Sequence, residues 1–453
     1  MSREAPQGRA TLPHASVRPG IVPSAAAQRP LLLVLSHLRW DFVFQRPQHL
    51  MSRAARAYEV LFVEEPIIAA PDTAAPRLEL LRREPGITVA VPHLPPGLDA
   101  RDATAAQRGL LDALLARHGA GPAAEGQPGR RRPLVAWFYT PMALAFAGHL
   151  APDVTVYDCM DELSAFRGAP PEMVERERHL LARADLVFTG GRSLYEAKQS
   201  RHPRVFCFPS SIDAAHFVRA RAAQEDPADQ APIGRPRLGF FGVVDERMDV
   251  DLVAALAEAR PDWQFVMIGP VVKIDPAILP RRPNIHWLGP KKYAELPAYL
   301  AGWDLGFMPF AMNEHTRFIS PTKTPEFLAA GLPLVSTPVT DVVRDWGDPG
   351  FVEIAADMPA MIARAEMLLA RPREAWLARV DRRLATQSWD ITWAAMEELI
   401  GQAPRLLRPV QEVPLLRPAR GAPPPAAVAA PRGAAAASPA RRTTALRRGA
   451  DHA

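Results

Sequence analysis

The stretch Arg317 to Thr337, RFISPTKTPEFLAAGLPLVST, constrains the rest of the chain more than any other. It reads as loop, helix, turn and strand. Thr324 is placed to cap the free amides of a helix whose first position is Pro325, with Glu326 in its first turn. Phe327 to Ala330 continue the helix, and Gly331 is its left-handed stop. Leu334 and Val335 then open a short apolar run that ends at Pro338, as in a parallel strand covered on both faces. Lys323 stands just before the expected helix start, where unpaired amides and the helix dipole favour an anion. Its ammonium adds a point charge suited to a phosphate. Glu326, about one turn further in, can accept hydrogen bonds from paired hydroxyls such as a ribose diol. Phosphate and diol together indicate a nucleotide. The plainer alternative is a solvated lysine and an acid that merely complements the helix dipole.

The chain has 453 residues, enough for two cores plus tails. Its net charge of +5 is unevenly spread: residues 401–453 carry nine Arg against Glu412 and Asp451, and residues 1–30 carry four Arg against Glu4. Balances of +7 and +3 in those tails leave −5 for residues 31–400. The folded part is therefore mildly acidic, and no nucleic-acid partner is expected. Only Cys159 and Cys207 are present, without metal-ligand spacing, which fits a reducing compartment. The first 30 residues lack the apolar core of a signal peptide, and no run approaches the ~18 apolar residues of a membrane span. A cytoplasmic protein is expected, with the arginine-rich tail able to hold it peripherally on an anionic membrane surface.

Residues 1–28 and 403–453 are rich in Pro, Ala and Arg without periodicity and read as disordered. Between them strands and helices alternate. LLLVLS, a loop, QHLMSRAARA and EVLFVEE make a first βαβ unit, with no G-x-G-x-x-G after its first strand. Further strands are expected at 87–91, 133–139, 153–157, 184–189 and 205–209, with a Gly, Pro and Arg insertion at 120–132. They imply a doubly wound parallel sheet over residues 29–217. A linker at 218–235 leads to a second alternating series over 236–387. A last helix at 388–402, with Trp389, Trp393 and Met396 on one side, is expected to cross back onto the first domain. Ligands of open α/β sheets sit beyond the carboxyl ends of the strands. The first loop lies there and offers Trp40, Arg46, Gln48 and His49 to a sugar or phosphate; the alternative is a loop that only packs.

Five segments carry one resemblance. LSHLRWDFVFQRPQHL, VYDCMDELSAF, ADLVFTGGRSLYEAK, LGFFGVVDERMD and SPTKTPEFLAAG together resemble the bacterial GT-B glycosyltransferases of the family 1/4-like type, over roughly residues 30–400. The resemblance implies two Rossmann-like domains facing a cleft, with the acceptor on the first and the nucleotide-sugar, UDP-linked, on the second. It also implies a cell-surface glycan or lipid-linked acceptor and neither cofactor nor metal. On the donor side Gly242 lets the backbone approach a phosphate, and Arg247 can fork onto the diphosphate or pair with Asp249 or Asp251 instead. Lys273, Thr322, Lys323 and Glu326 complete the expected donor set. Asp161 and Asp158 follow a strand end; either is a candidate base for the acceptor hydroxyl, Asp161 first, and either could instead cap the next segment. Many relatives carry two glutamates with seven residues between them, and the earlier position here is Phe318. A nucleotide-sugar epimerase on the same fold and an inactive scaffold are the competing functions.

Overall fold

A computed structural model describes residues 29–68, 70, 75–121 and 132–403. The expected tail at 1–28, that at 403–453 apart from Ala403, and most of the insertion at 120–132 lie outside the described residues. Apolar β-rich runs form the first sheet from β1 (Leu31–Leu35), β2 (Glu59–Val63), β3 (Ile67–Ile68), β4 (Arg77–Arg83), β5 (Ile87–Leu94), β6 (Leu134–Phe138), β7 (Val154–Cys159), β8 (Leu186–Thr189) and β9 (Val205–Cys207). Its order is β3-β5-β2-β1-β6-β7-β8-β9, with β4 beside β5. Every pairing is parallel except β4 with β5. The hairpin strand β4, RLELLRR, was not expected, because its charges hide the apolar run that marks a buried strand.

The second sheet comprises β10 (Arg237–Phe241), β11 (Gln264–Ile268), β12 (Ile285–Gly289), β13 (Leu305–Met308), β14 (Leu334–Ser336) and β15 (Glu353–Ile354), in the order β12-β11-β10-β13-β14-β15 and parallel throughout. Apolar clusters cover both faces of each sheet, as parallel strands require. The chain reverses direction across the first sheet between β1 and β6, and across the second between β10 and β13. Loops leaving the carboxyl ends of strands diverge at such switch points and leave a crevice. The loops after β1, β10 and β13 are those the sequence marked.

Helix Trp389–Gln402 packs on the first sheet: Trp389, Trp393, Met396 and Ile400 join the cluster of Leu32, Val34 and Trp137. The aperiodic stretch before β10 is firmly held. Gln230 is buried, donating to the Tyr299 carbonyl (3.0 Å) and accepting from the Trp303 indole (2.7 Å).

The first loop meets the sheet through a buried ion pair, and burial there corrects four expectations. Arg46 Nη2 and Nε donate to Asp158 Oδ1 and Oδ2 (2.9 and 3.0 Å), and Nη1 donates to the Phe208 carbonyl (2.8 Å). Asp158 is 0% exposed and Arg46 3%, so neither faces a substrate. Gln48 is buried as well, donating to the Trp40 carbonyl (2.8 Å) and accepting from the Gln45 amide (3.0 Å). His49 stacks on Trp389 at 4.8 Å, and burial pushes its imidazole down to about 3, so it stays neutral. Helix Arg46–Ala54 thus begins as a packed element, its first turn serving the fold rather than an acceptor.

Asp158→Asn leaves a sealed guanidinium facing a neutral amide. It is expected to lower stability by about 3–5 kcal/mol, whereas Asp161→Asn should leave stability within about 0.5 kcal/mol. Denaturant melts of the two variants check both values.

Candidate active site

A cleft of about 570 Å³ opens between the two sheets' carboxyl-end loops. The first half contributes Trp40 to Gln45, and the second contributes Gly242, Arg247, Gly269, Pro270, Tyr293, Thr322, Lys323 and Glu326 among others. Five of the six expected donor residues therefore share one wall.

Backbone geometry builds the floor. Gly242 follows β10 with φ +133°, and a Cβ there would overlap the Lys323 side chain. Gly269 follows β11 with φ +148°, and a Cβ there would overlap the Gly242 carbonyl. Two glycines are needed for the strand ends to meet and for Lys323 to lie across them.

The helix over the floor runs Lys323–Ala329, starting two residues earlier than expected. Pro325 is tolerated because amides of the first turn have no partner inside the helix. Thr322 takes the cap position, though its side chain makes no capping hydrogen bond. Thr324 is fully buried and turns to the Met308 sulfur (3.8 Å) instead of capping. Lys323 thereby sits inside the first turn. Its Nζ lies 5.6 Å from the Phe240 ring, and the ammonium makes no hydrogen bond or ion pair among the described residues.

Glu326 is 5% exposed, and its carboxylate likewise makes no hydrogen bond among the described residues. Burial pushes it above the ordinary carboxylate range, with Lys323 pulling the other way. Burial and then Arg247 lower Lys323, with Glu326 opposing. Both groups are moved toward their neutral forms.

Arg247 pairs with neither Asp249 nor Asp251; it chelates Asp245 (Nη2–Oδ2 2.7 Å, Nε–Oδ1 2.9 Å), while Asp249 caps helix Val250–Ala259. Lys273 takes a left-handed backbone (φ +62°) and holds its Nζ 4.7 Å from the Phe166 ring, outside the residues lining the cleft. Phe166 comes from the first half, and Arg247 lies 5.6 Å from the same ring.

Asp161 precedes Phe166 on that segment. Its carboxylate makes no hydrogen bond among the described residues; burial raises it and Asp245 adds to the rise, with Arg247, Lys273 and Arg46 opposing. A half-buried, unpaired carboxylate facing two cations can take a proton. Among the described residues, no three His, Cys, Asp or Glu side chains converge as metal ligands.

Sequence reasoning missed Tyr293 and Phe44. Tyr293 stacks on Phe44 at 4.5 Å and on His216 at 4.1 Å, and its hydroxyl is buried without a hydrogen-bond partner among the described residues. The signal was available: Gly289-Pro290 ends β12 as Gly269-Pro270 ends β11, which puts Tyr293 on the same rim. Phe318 packs against the apolar cluster of the first sheet, away from the cleft.

Known proteins agree with this architecture. The family model described as Glycosyl transferases group 1 matches residues 235–371. TuaH of Bacillus subtilis (strain 168), named as a glycosyltransferase of teichuronic acid biosynthesis, is 24% identical over 267 residues, 55% of this chain and 67% of TuaH. A GDP-mannose-dependent alpha-mannosyltransferase of Mycolicibacterium smegmatis is 28% identical over 232 residues, 49% of this chain and 58% of that protein. Among solved structures, one titled as trehalose-6-phosphate from E. coli bound with UDP-2-fluoro glucose aligns with TM-score 0.58 at 13% identity, covering 82% of this chain and 99% of that one. HepE of Anabaena with UDP and glucose aligns with TM-score 0.56 at 14% identity, over 82% of this chain and 99% of that one. At such identities the structural matches speak for the fold, and the sequence matches speak for the chemistry. The chain has the two-sheet GT-B fold, and its residues 235–371 match the family model described as Glycosyl transferases group 1.

Proposed function

We propose that the chain moves a sugar from a UDP-sugar to a cell-surface glycan or lipid-linked acceptor, without a metal ion. The observation that carries this reading is the pair Lys323 and Glu326, an ammonium and a buried carboxylate in one cleft wall with no hydrogen-bond partner among the described residues. Both side chains border the open cleft, where an incoming ligand can reach them. A diphosphate for the first and a vicinal diol for the second would satisfy both. The nucleotide in the HepE and E. coli structures supports UDP, and TuaH's name supports a cell-surface polysaccharide. GDP in the mannosyltransferase's name makes the base a point for direct competition. Because the relatives named above are transferases, neither the epimerase nor the inactive scaffold is carried forward.

In this mechanism the diphosphate lies over Gly242, where the absent side chain admits it to the backbone and to Lys323. Arg247, steadied by Asp245, and Lys323 meet the negative charge that grows on the leaving diphosphate, in place of a metal. Lys273 adds positive field from behind Phe166, and Thr322 borders the helix start. Asp161 accepts the acceptor hydroxyl's proton as the new glycosidic bond forms at the sugar's anomeric carbon and the bond to the diphosphate breaks. Trp40 borders the opposite wall, with its ring largely buried against Phe62 (5.1 Å).

The two donor-side substitutions should fail differently. Lys323→Ala removes a charge that matters most as the diphosphate leaves, so both the transfer rate and donor affinity should fall, by a few kcal/mol at most, roughly 10- to 1,000-fold in rate. Glu326→Gln loses the charged acceptor and should weaken UDP by about 1.5–3 kcal/mol. Calorimetric titration of UDP, with GDP as competitor, measures this; unchanged UDP affinity in Glu326→Gln would remove the ribose assignment.

A pH dependence follows from the raised carboxyl of Glu326. A carboxyl with its titration lifted in the fold is protonated over a window above the ordinary carboxylate range, and there it donates where it should accept. UDP affinity of the wild type should therefore rise with pH from about 5 toward neutrality. In Glu326→Gln that rise should be absent. Without ligand the same group contributes stability at low pH that is lost as pH rises through the window, which thermal melts at matched pH values read separately.

A further inference from the structure

Behind the cleft, in the first half, lies a buried ionic cluster that the mechanism above does not use. Lys198 ends helix Arg192–Lys198, is sealed from solvent, and donates to Glu162 Oε2 (2.6 Å) and Glu177 Oε1 (2.7 Å). Glu177 also accepts from Arg201 (2.7 Å) and from the Tyr157 hydroxyl (3.0 Å). Ser164 donates to Glu162 Oε1 (2.7 Å).

Lys198, Glu177 and Tyr157 stand on regular elements: two helices and β7. Glu162 does not. It sits in the irregular segment that leaves β7, directly after Asp161 and four residues before Phe166. Two cations and two carboxylates balance only with it, since Glu177 alone is shared between Lys198 and Arg201. Glu162 is therefore the second carboxylate on a buried ammonium, and it is the one carried by a loop. It ties that loop to two helices.

The loop's other contacts lie across the cleft. Phe166 meets Lys273, Arg247 and the stacked ring of His315 (6.2 Å), all from the second half. A loop placed between two bodies needs a fixed foot if its carboxylate is to hold one position. We infer that Lys198 is a positioning residue for sugar transfer: through Glu162 it clamps the 161–166 segment, whose Phe166 lies against Arg247 and Lys273, and so holds the Asp161 carboxylate in the position that transfer requires. The inference rests on the assignment of Asp161 as base and deepens it by naming what holds the base in place.

The test uses the full chain with Glu162→Ala, Glu162→Gln and Asp161→Asn, and measures kcat, acceptor KM, UDP affinity and melting temperature. Glu162→Ala frees the loop while Lys198 keeps Glu177, so the fold should survive. The expected result is a kcat loss of roughly 10- to 100-fold, the scale for a reacting group displaced by about 1 Å, with UDP affinity near wild type and a melting temperature only modestly lowered, since Lys198 keeps Glu177. Glu162→Gln keeps an oxygen for Lys198 and should recover much of the lost rate. Wild-type kcat in Glu162→Ala, beside an impaired Asp161→Asn, would overturn the clamp and leave the base assignment standing. An active Asp161→Asn beside a slow Glu162→Ala would overturn the base assignment and keep the clamp. A Glu162→Ala variant whose rate, UDP affinity and melting temperature all fall together would also overturn it, since that pattern marks general destabilisation.

Discussion

Two missing side chains decide where the chemistry can happen. The Gly242 carbonyl fills the space where Gly269 would carry a Cβ, and Lys323 fills the space where Gly242 would carry one. Any larger residue at either position would separate the ends of β10 and β11 or evict the lysine. The strand register, the helix that starts at Lys323 and the anion-ready floor therefore form one packing unit. This is a steric rather than an electrostatic device, and it places the charge before any ligand arrives.

The charged groups around it divide by how their desolvation is answered. Asp158 and Arg46 are both sealed and answer each other in a forked pair, as do Lys198 and its two carboxylates. Such pairs hold the first loop and the segment after β7 in place. Lys323, Glu326 and Asp161 are drawn into the protein without a hydrogen bond from it among the described residues. Burial moves each toward its neutral form. A protein that keeps such groups unanswered on one cleft keeps free energy available for whatever answers them.

The fold was legible because buried parallel strands leave an unmistakable apolar signature, as in Leu31–Leu35 and Leu134–Phe138. The donor wall was legible for a related reason: Gly242, Thr322, Lys323 and Glu326 lie in short strand-to-helix connections, where sequence position nearly fixes spatial position. The acceptor side was less so. Arg46, Gln48 and His49 look like a polar loop in sequence, but their partners Asp158, Trp40 and Trp389 come from as far as 340 residues away, between His49 and Trp389. No local pattern records that. The same limit hid Tyr293, whose neighbours Phe44 and His216 come from other segments, and led Asp158 to be weighed beside Asp161 although only Cys159 and Met160 separate the sealed carboxylate from the open one.

The return of helix Trp389–Gln402 to the first sheet has a mechanical consequence. The polypeptide passes between the halves twice, once between Cys207 and Arg237 and once between Leu384 and Trp389. These passages touch, since the Trp389 amide donates to the Ile212 carbonyl (3.3 Å). The crossing is backed by direct contacts between the halves, Ser193 with Asp341, Glu196 with Arg344 and Phe44 with Tyr293. Any change in the width of the cleft has to be carried through those contacts as well as through the two threads.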